Sequence, residues 1–281
     1  MMTVQVRFYT DPACPWSWAA EPALRRLLWE FEERLELVWV MGGLARRYGG
    51  EHIPGVISHW LEATAESRMP LDPRLWLENP LDSTYPACQA VKAASEQGWE
   101  AGYRYLRRLR EGIMFERRKL DHADPLIAAA GEAGIDRDRF EVDLNSHAIT
   151  EAFGADLDQV RNPPEAARNA DAVARIGDRE RLSFPSALIV AGNGSRSYVA
   201  GFASEPSVLS DAALAAGADR ANDGSIEPLD AIERFGRCAT RELEVLAARP
   251  RPVIEAELWA LARDWRLKPV PALTGTLWEL A

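Results

Sequence analysis

Val4, Val6 and Phe8 alternate with Gln5, Arg7 and Tyr9, the two-residue period of a half-buried strand. Ala20, Leu24, Leu27, Leu28 and Phe31 then recur at helical spacing, and Leu35 to Val40 reads as a second strand, so the chain opens with a βαβ unit. Pro22 lies inside the helical pattern, where its ring would clash with a carbonyl one turn back, and predicts a kink. Gly42-Gly43 closes the unit. From about Ala45 to Asp171 the apolar positions keep almost wholly to helical spacing, broken at Pro70 to Pro73 and at Asn162-Pro163-Pro164. Helices are expected over Tyr85 to Glu96, Glu100 to Lys119, Pro125 to Ala133 and Pro164 to Ile176.

Strand patterns return at Ser186 to Ala191 and Ser197 to Ala200. They are separated by Gly192-Asn193-Gly194-Ser195, whose residues accept the positive φ of a tight hairpin. Gly201-Phe202 follows. Pro228 to Leu246 reads as one long helix carrying Cys238, and Pro250-Arg251-Pro252 interrupts it. Ile254, Leu258, Leu261 and Trp265 predict another helix, followed by Val270 and, across a turn at Thr274-Gly275, by Thr276 to Leu280. That outline fits a winged helix, and it also fits an extension covering the core or a partner subunit. The acidic balance and the lack of a basic stripe favour the covering extension.

The 281 residues suffice for a sizeable core. Lys and Arg total 33 against 43 for Asp and Glu, a formal net charge of −10, which argues against binding a phosphate backbone, so no nucleic-acid partner is expected. Cys14, Cys88 and Cys238 lie far apart, without a zinc-like pair or a disulfide ladder, as in cytosolic proteins. Met1-Met2-Thr3-Val4 leads straight into the first strand with no basic and apolar leader, and no apolar run reaches the ~20 residues of a membrane helix. A cytoplasmic protein with no membrane partner is expected. His52, His59, His122 and His147 have no companions at zinc-ligand spacing, so no metal is expected.

Cys14 stands in the turn where the first strand ends and the helix begins. Unpaired N–H groups and the macrodipole favour an anion there, which predicts a thiolate of depressed pKa. Pro15 fits the first helical turn, and Ser17 stands where a C-x-x-C motif has its second cysteine. Trp16 and Trp18 flank the site. Cys88, on the apolar face of the Tyr85 helix, reads as a buried inert thiol or as a resolving partner for Cys14.

Asp11-Pro12-Ala13-Cys14-Pro15-Trp16-Ser17-Trp18 resembles the active-site segment of the DsbA-like branch of the thioredoxin superfamily, including FrnE-type predicted dithiol-disulfide isomerases. The segment, with Glu21-Pro22 after it, is also similar to the YjbH-type adaptors of the ClpXP protease. Leu182-Ser183-Phe184-Pro185-Ser186 matches the superfamily's cis-proline segment, with Pro185 as the proline. The resemblance implies an α/β thioredoxin-like fold with a helical domain inserted after the second strand, plus a mainly helical C-terminal extension. Residues 1–44 and 172–205 would form the discontinuous thioredoxin-like domain, 45–171 the insert and 206–281 the extension. Cys14 and Ser17 would be catalytic, while Pro15, Trp16, Phe184 and Pro185 would contact substrate. The implied function is monothiol exchange on a protein or small-molecule disulfide, by an oxidoreductase or isomerase, with glutathione or a similar thiol as co-substrate and no bound cofactor. The alternatives are an adaptor that holds a protein client in the same groove, and a glutathione-dependent isomerase or transferase. Oligomeric state is left open.

Overall fold

Strand β1 (Val4–Thr10) alternates buried and partly exposed residues, and its last three positions are all buried. A computed structural model describes residues 4–281, apart from the side chain of Glu51; Met1 to Thr3, on which the leader reading and the start of the first domain fall, lie outside the described residues. Next come α1 (Pro15–Ala19), α2 (Glu21–Phe31) and β2 (Leu35–Met41), which pairs in parallel with β1. Pro22 does not kink one continuous helix. It occupies the first turn of α2, where a missing N–H has no intrahelical partner to lose, so the helix starts anew there.

The chain then runs through α3 (Ile53–Ser67), α4 (Leu75–Glu78), α5 (Tyr85–Ser95), α6 (Trp99–Arg110), α7 (Ala123–Glu132), α8 (Arg137–Leu144), α9 (His147–Arg161) and α10 (Glu165–Asn169). Side-chain caps start two of them: Asp136 accepts from Arg139 N–H at 3.0 Å and Ser146 from Ile149 N–H at 3.3 Å. The helix expected over Glu100 to Lys119 ends early. Glu111 to Phe115 widen into a π turn, Arg117 takes a left-handed φ of 58°, and the chain folds back to bury Leu120. Pro164 to Ile176 is not one helix either. After α10 comes a hairpin, β3 (Val173–Ile176) and β4 (Arg179–Leu182), joined by Gly177-Asp178 with Gly177 at φ 58°. Gly-Asp between two short runs is a hairpin signal that the helical reading of the preceding residues overrode.

Strands β5 (Ser186–Val190) and β6 (Arg196–Ala200) complete a four-stranded sheet of order β2-β1-β5-β6, in which β5 runs antiparallel to both neighbours. The helical block therefore enters after the second strand. Helices α5 and α6 pack against β2, and α11 (Val208–Ala215) packs on α2, β5 and β6.

The C-terminal region orders as α12 (Pro228–Phe235), β7 (Cys238–Ala239), α13 (Thr240–Leu246), α14 (Arg251–Arg263), β8 (Leu267–Pro271) and β9 (Thr276–Leu280), with a sheet of order β7-β9-β8. The single helix expected over Pro228 to Leu246 is thus two. Tertiary pairing overrides its helical periodicity, because Cys238 and Ala239 pair with Trp278 and Leu277, and Arg25 takes the Phe235 carbonyl that would continue the helix. This region has its own core of Ile232, Leu243, Leu246, Ile254, Leu258 and Trp278. Its β8–β9 turn is held on the helical block, with Thr274 Oγ1 accepting from Leu71 N–H at 2.8 Å and donating to Leu71 O at 2.9 Å.

Candidate active site

Cys14 is the N-cap residue of α1, with Pro15 at the first helical position. Its sulfur does not face solvent. Cys14 is 4% exposed and packs with Tyr9, Val40, Phe184 and Leu188. The thiol lies 3.7 Å from Phe184 O, to which it can donate. Ser17 N–H and the Ser17 hydroxyl face the sulfur and favour its anion. Burial outweighs them and pushes the Cys14 thiol above the ordinary range, with Asp11 adding to the rise and Arg181 opposing it. This corrects the expectation of an activated thiolate: α1 is only five residues long, and desolvation dominates over its dipole. The buried Ser17 hydroxyl has no partner of full hydrogen-bond geometry.

The Phe184–Pro185 bond is cis. The Phe184 ring lies against Gly42, where an added Cβ would fall 1.9 Å from Phe184 Cζ. The absence of a side chain at the end of β2 therefore makes room for a ring beside the cysteine. Arg181 covers the ring with its guanidinium carbon 4.2 Å from the centroid. Trp16 is half-buried and donates its Nε1–H to His59 Nε2 at 2.8 Å, with its ring 5.7 Å from that of Phe202. His59 thus supports Trp16. Among the described residues no group of three or more His, Cys, Asp or Glu side chains could hold a metal.

Sequence reasoning quoted Asp11 in the motif but gave it no task. Its Oδ1 accepts from Ala13 N–H at 2.9 Å, and its Oδ2 accepts from Leu44 N–H at 2.7 Å, the Thr84 hydroxyl at 2.9 Å and the Cys88 thiol at 3.3 Å. Burial raises this carboxyl, and those hydrogen bonds pull it back. Cys88 therefore approaches the motif through Asp11. It is fully buried, desolvation pushes its thiol well up, and all three cysteines are unpaired. Strand-end Asp is a turn-forming signal in the sequence; nothing in the pattern pointed to Arg181.

The Glu21 of the Glu-Pro pair sits at a second buried cluster. Arg110 and Arg107 both reach it, Arg107 at 3.3 Å, and Arg107 also makes a two-pronged contact with Glu242 of α13 at 2.8 and 3.1 Å. Arg25 pairs with Glu242 at 3.2 Å and donates to Cys238 Sγ at 2.9 Å. Although burial opposes it, the arginines hold the Glu21 carboxyl below the usual glutamate range. Arg107 also lies 4.4 Å from the centroid of the Trp18 ring, so the cluster ties the cysteine segment, α6 and the C-terminal region together.

A mixed sheet with an inserted helical block, a cysteine at the first βα turn and a cis-proline loop beside it define a thioredoxin-like protein of DsbA-like build. The chain belongs to the thioredoxin family, whose model, described as Thioredoxin, matches residues 8–162. It is 34% identical over 162 residues to the ClpXP adapter protein SpxH of Halalkalibacterium halodurans, an alignment spanning 55% of this chain and 53% of that protein. With the ClpXP adapter protein SpxH of Bacillus subtilis it shares 24% identity over 98% of this chain and 89% of the relative. A solved structure described as a candidate protein disulfide isomerase from Nitrosomonas europaea superposes with a TM-score of 0.62 at 17% identity, covering 76% of this chain and 99% of the other. That likeness concerns the fold. Among the described residues no helix is long and apolar enough to cross a membrane.

Proposed function

We propose that this is a client-holding protein of the protease-adaptor kind, acting in the cytoplasm, in which Cys14 is a protonated structural thiol. The observation that carries the reading is the enclosure of the Cys14 sulfur, 4% exposed and raised in pKa by burial. Thiol exchange needs an accessible thiolate, and release of a mixed disulfide within one chain needs a second attacking thiol, where Ser17 stands instead. The alignment with relatives named ClpXP adapter runs through the C-terminal region that the Glu242 cluster fastens down. In this reading that region forms part of the client or protease surface, and the partners are a protein client and ClpXP.

A second reading rests on Ser17 and Arg181, both of which favour the sulfur anion. Here Cys14 attacks a protein–glutathione mixed disulfide, the protein thiolate leaves, and a second glutathione resolves Cys14 to give oxidised glutathione. One experiment separates the two. A soluble extract of the source cells is incubated with purified ClpXP, ATP and either wild-type protein or Cys14→Ser, and protein half-lives are followed by quantitative mass spectrometry. The adaptor reading expects a discrete set of proteins to disappear faster with both forms, and neither form to turn over a glutathionylated peptide. It fails if no half-life changes, or if the effect and a measurable thiol turnover both vanish with Cys14→Ser.

A further inference from the structure

Two adjoining cavities of about 700 and 540 Å³ form a groove between α9–α10 and the β3–β4 hairpin, sharing Arg161, Arg179 and Glu180. Six arginines line the groove against two acids, Asp178 and Glu180, on a chain whose net charge is −10. Glu180 is already taken by Arg168 at 3.0 Å and Arg175 at 3.1 Å. Arg46 and Arg179 make no ion pair among the described residues, and Arg161 donates only to the Tyr85 hydroxyl. Arg181 has its Nε buried without a hydrogen-bond partner and no carboxylate in contact. Among the described residues three guanidinium groups, those of Arg46, Arg161 and Arg179, therefore face one groove without a carboxylate partner, and Arg181 beside them donates to Leu182 O at 2.7 Å with Asp11 as the carboxyl that supports its charge.

The floor between them is apolar. Leu157 keeps 9% of its surface exposed there over the fully buried Val160, and Ile176 on the hairpin is 55% exposed. Among the described residues the hairpin pairs with no third strand, which leaves a strand edge for main-chain pairing.

We propose that this groove binds an extended acidic segment of a protein partner, with carboxylates on Arg46, Arg161, Arg179 and Arg181 and apolar side chains against Leu157 and Ile176. Guanidinium groups suit carboxylates because their forked donors match two oxygens at once. The apolar floor and free hairpin edge favour a peptide over a nucleic acid, which would need stacking faces along the groove. Because Arg181 also covers Phe184 beside Cys14, an occupied groove would sit one side chain away from the cysteine. The identification of that partner as the client rests on the adaptor reading; the groove's preference for acidic peptide does not.

The test is fluorescence anisotropy on the full-length protein with a labelled peptide of about twelve residues alternating glutamate and leucine. Its controls are a lysine–leucine peptide and a uridine oligonucleotide of the same length. The expected result is saturable binding of the acidic peptide alone, weakened about tenfold or more by raising salt from about 0.05 to 0.5 M and by Arg179→Glu or Arg46→Glu. Both variants replace exposed side chains without ion pairs, so folding is retained and is checked by circular dichroism. The proposal is overturned by no saturable binding, by equal binding of the lysine peptide, by binding that survives both reversals, or by an oligonucleotide that binds as tightly. If the acidic peptide binds while ClpXP degrades nothing faster, the adaptor reading falls and the groove assignment stands.

Discussion

Two buried polar clusters lie within a dozen residues of each other on the α1–α2 segment, and burial has opposite consequences in them. At Cys14 the sulfur is packed among apolar side chains, burial drives its thiol up, and the buried carboxyl of Asp11 adds to the rise. At Glu21 three carboxylates, those of Glu21, Glu111 and Glu242, meet the guanidinium groups of Arg25, Arg107 and Arg110, and the Glu21 carboxyl is held down. Desolvation acts on both, and what differs is the supply of opposite charge. The part of the motif that looks chemical is the electrically quieter one, whereas the strongly compensated charges join the C-terminal region to the rest.

The sharpest way to break this contrast is Glu242→Ala. It would leave Arg25 and Arg107 buried without their shared carboxylate, and a loss of about 3–5 kcal/mol in urea unfolding is expected. A loss below about 1 kcal/mol would mean that water already solvates the cluster. Next in size is the acid limb of stability. Because the Glu21 pKa is lower folded than unfolded, its contribution is present above the ordinary glutamate value of about 4.3 and is lost as pH falls through the folded value. Melting temperature should therefore drop steeply below that point in wild type and less steeply in Glu21→Gln, at equal salt. The smallest effect is expected from Gly42→Ala, whose methyl group meets the Phe184 ring and should cost about 1–3 kcal/mol by displacing it. An unchanged melting temperature would show that the ring is free to move away.

The βαβ opening and the β5–β6 hairpin were legible because alternation, turn residues and a proline at the start of a helix all act locally, whereas the insertion point came from the family resemblance. The β7 break in the Pro228 to Leu246 pattern was not, since its cause is pairing with β9 at the far end of the chain. The site divides in the same way. Cys14, Ser17, Phe184 and Pro185 were all found from the motif, and they do come together. The state of the sulfur was not legible, because it depends on how Val40, Leu188 and Phe184 close around it, and a local rule about helix ends carries no information on that enclosure. The Arg107–Glu242 contact links residues 135 positions apart, beyond the reach of any spacing argument.

The protonation state of Cys14 bears most directly on all of this. Iodoacetamide alkylation of the native protein, followed by mass spectrometry of the Cys14 peptide from pH 5 to 10, reads it out. With its pKa raised, folding favours the protonated thiol, so the stability this contributes is present below the ordinary value of about 8.5 and is lost as pH rises through the folded value. The expected result is slow labelling that keeps climbing with no plateau up to about pH 9. Rapid labelling that levels off with a midpoint below about pH 7 would contradict it and identify Cys14 as a working thiolate.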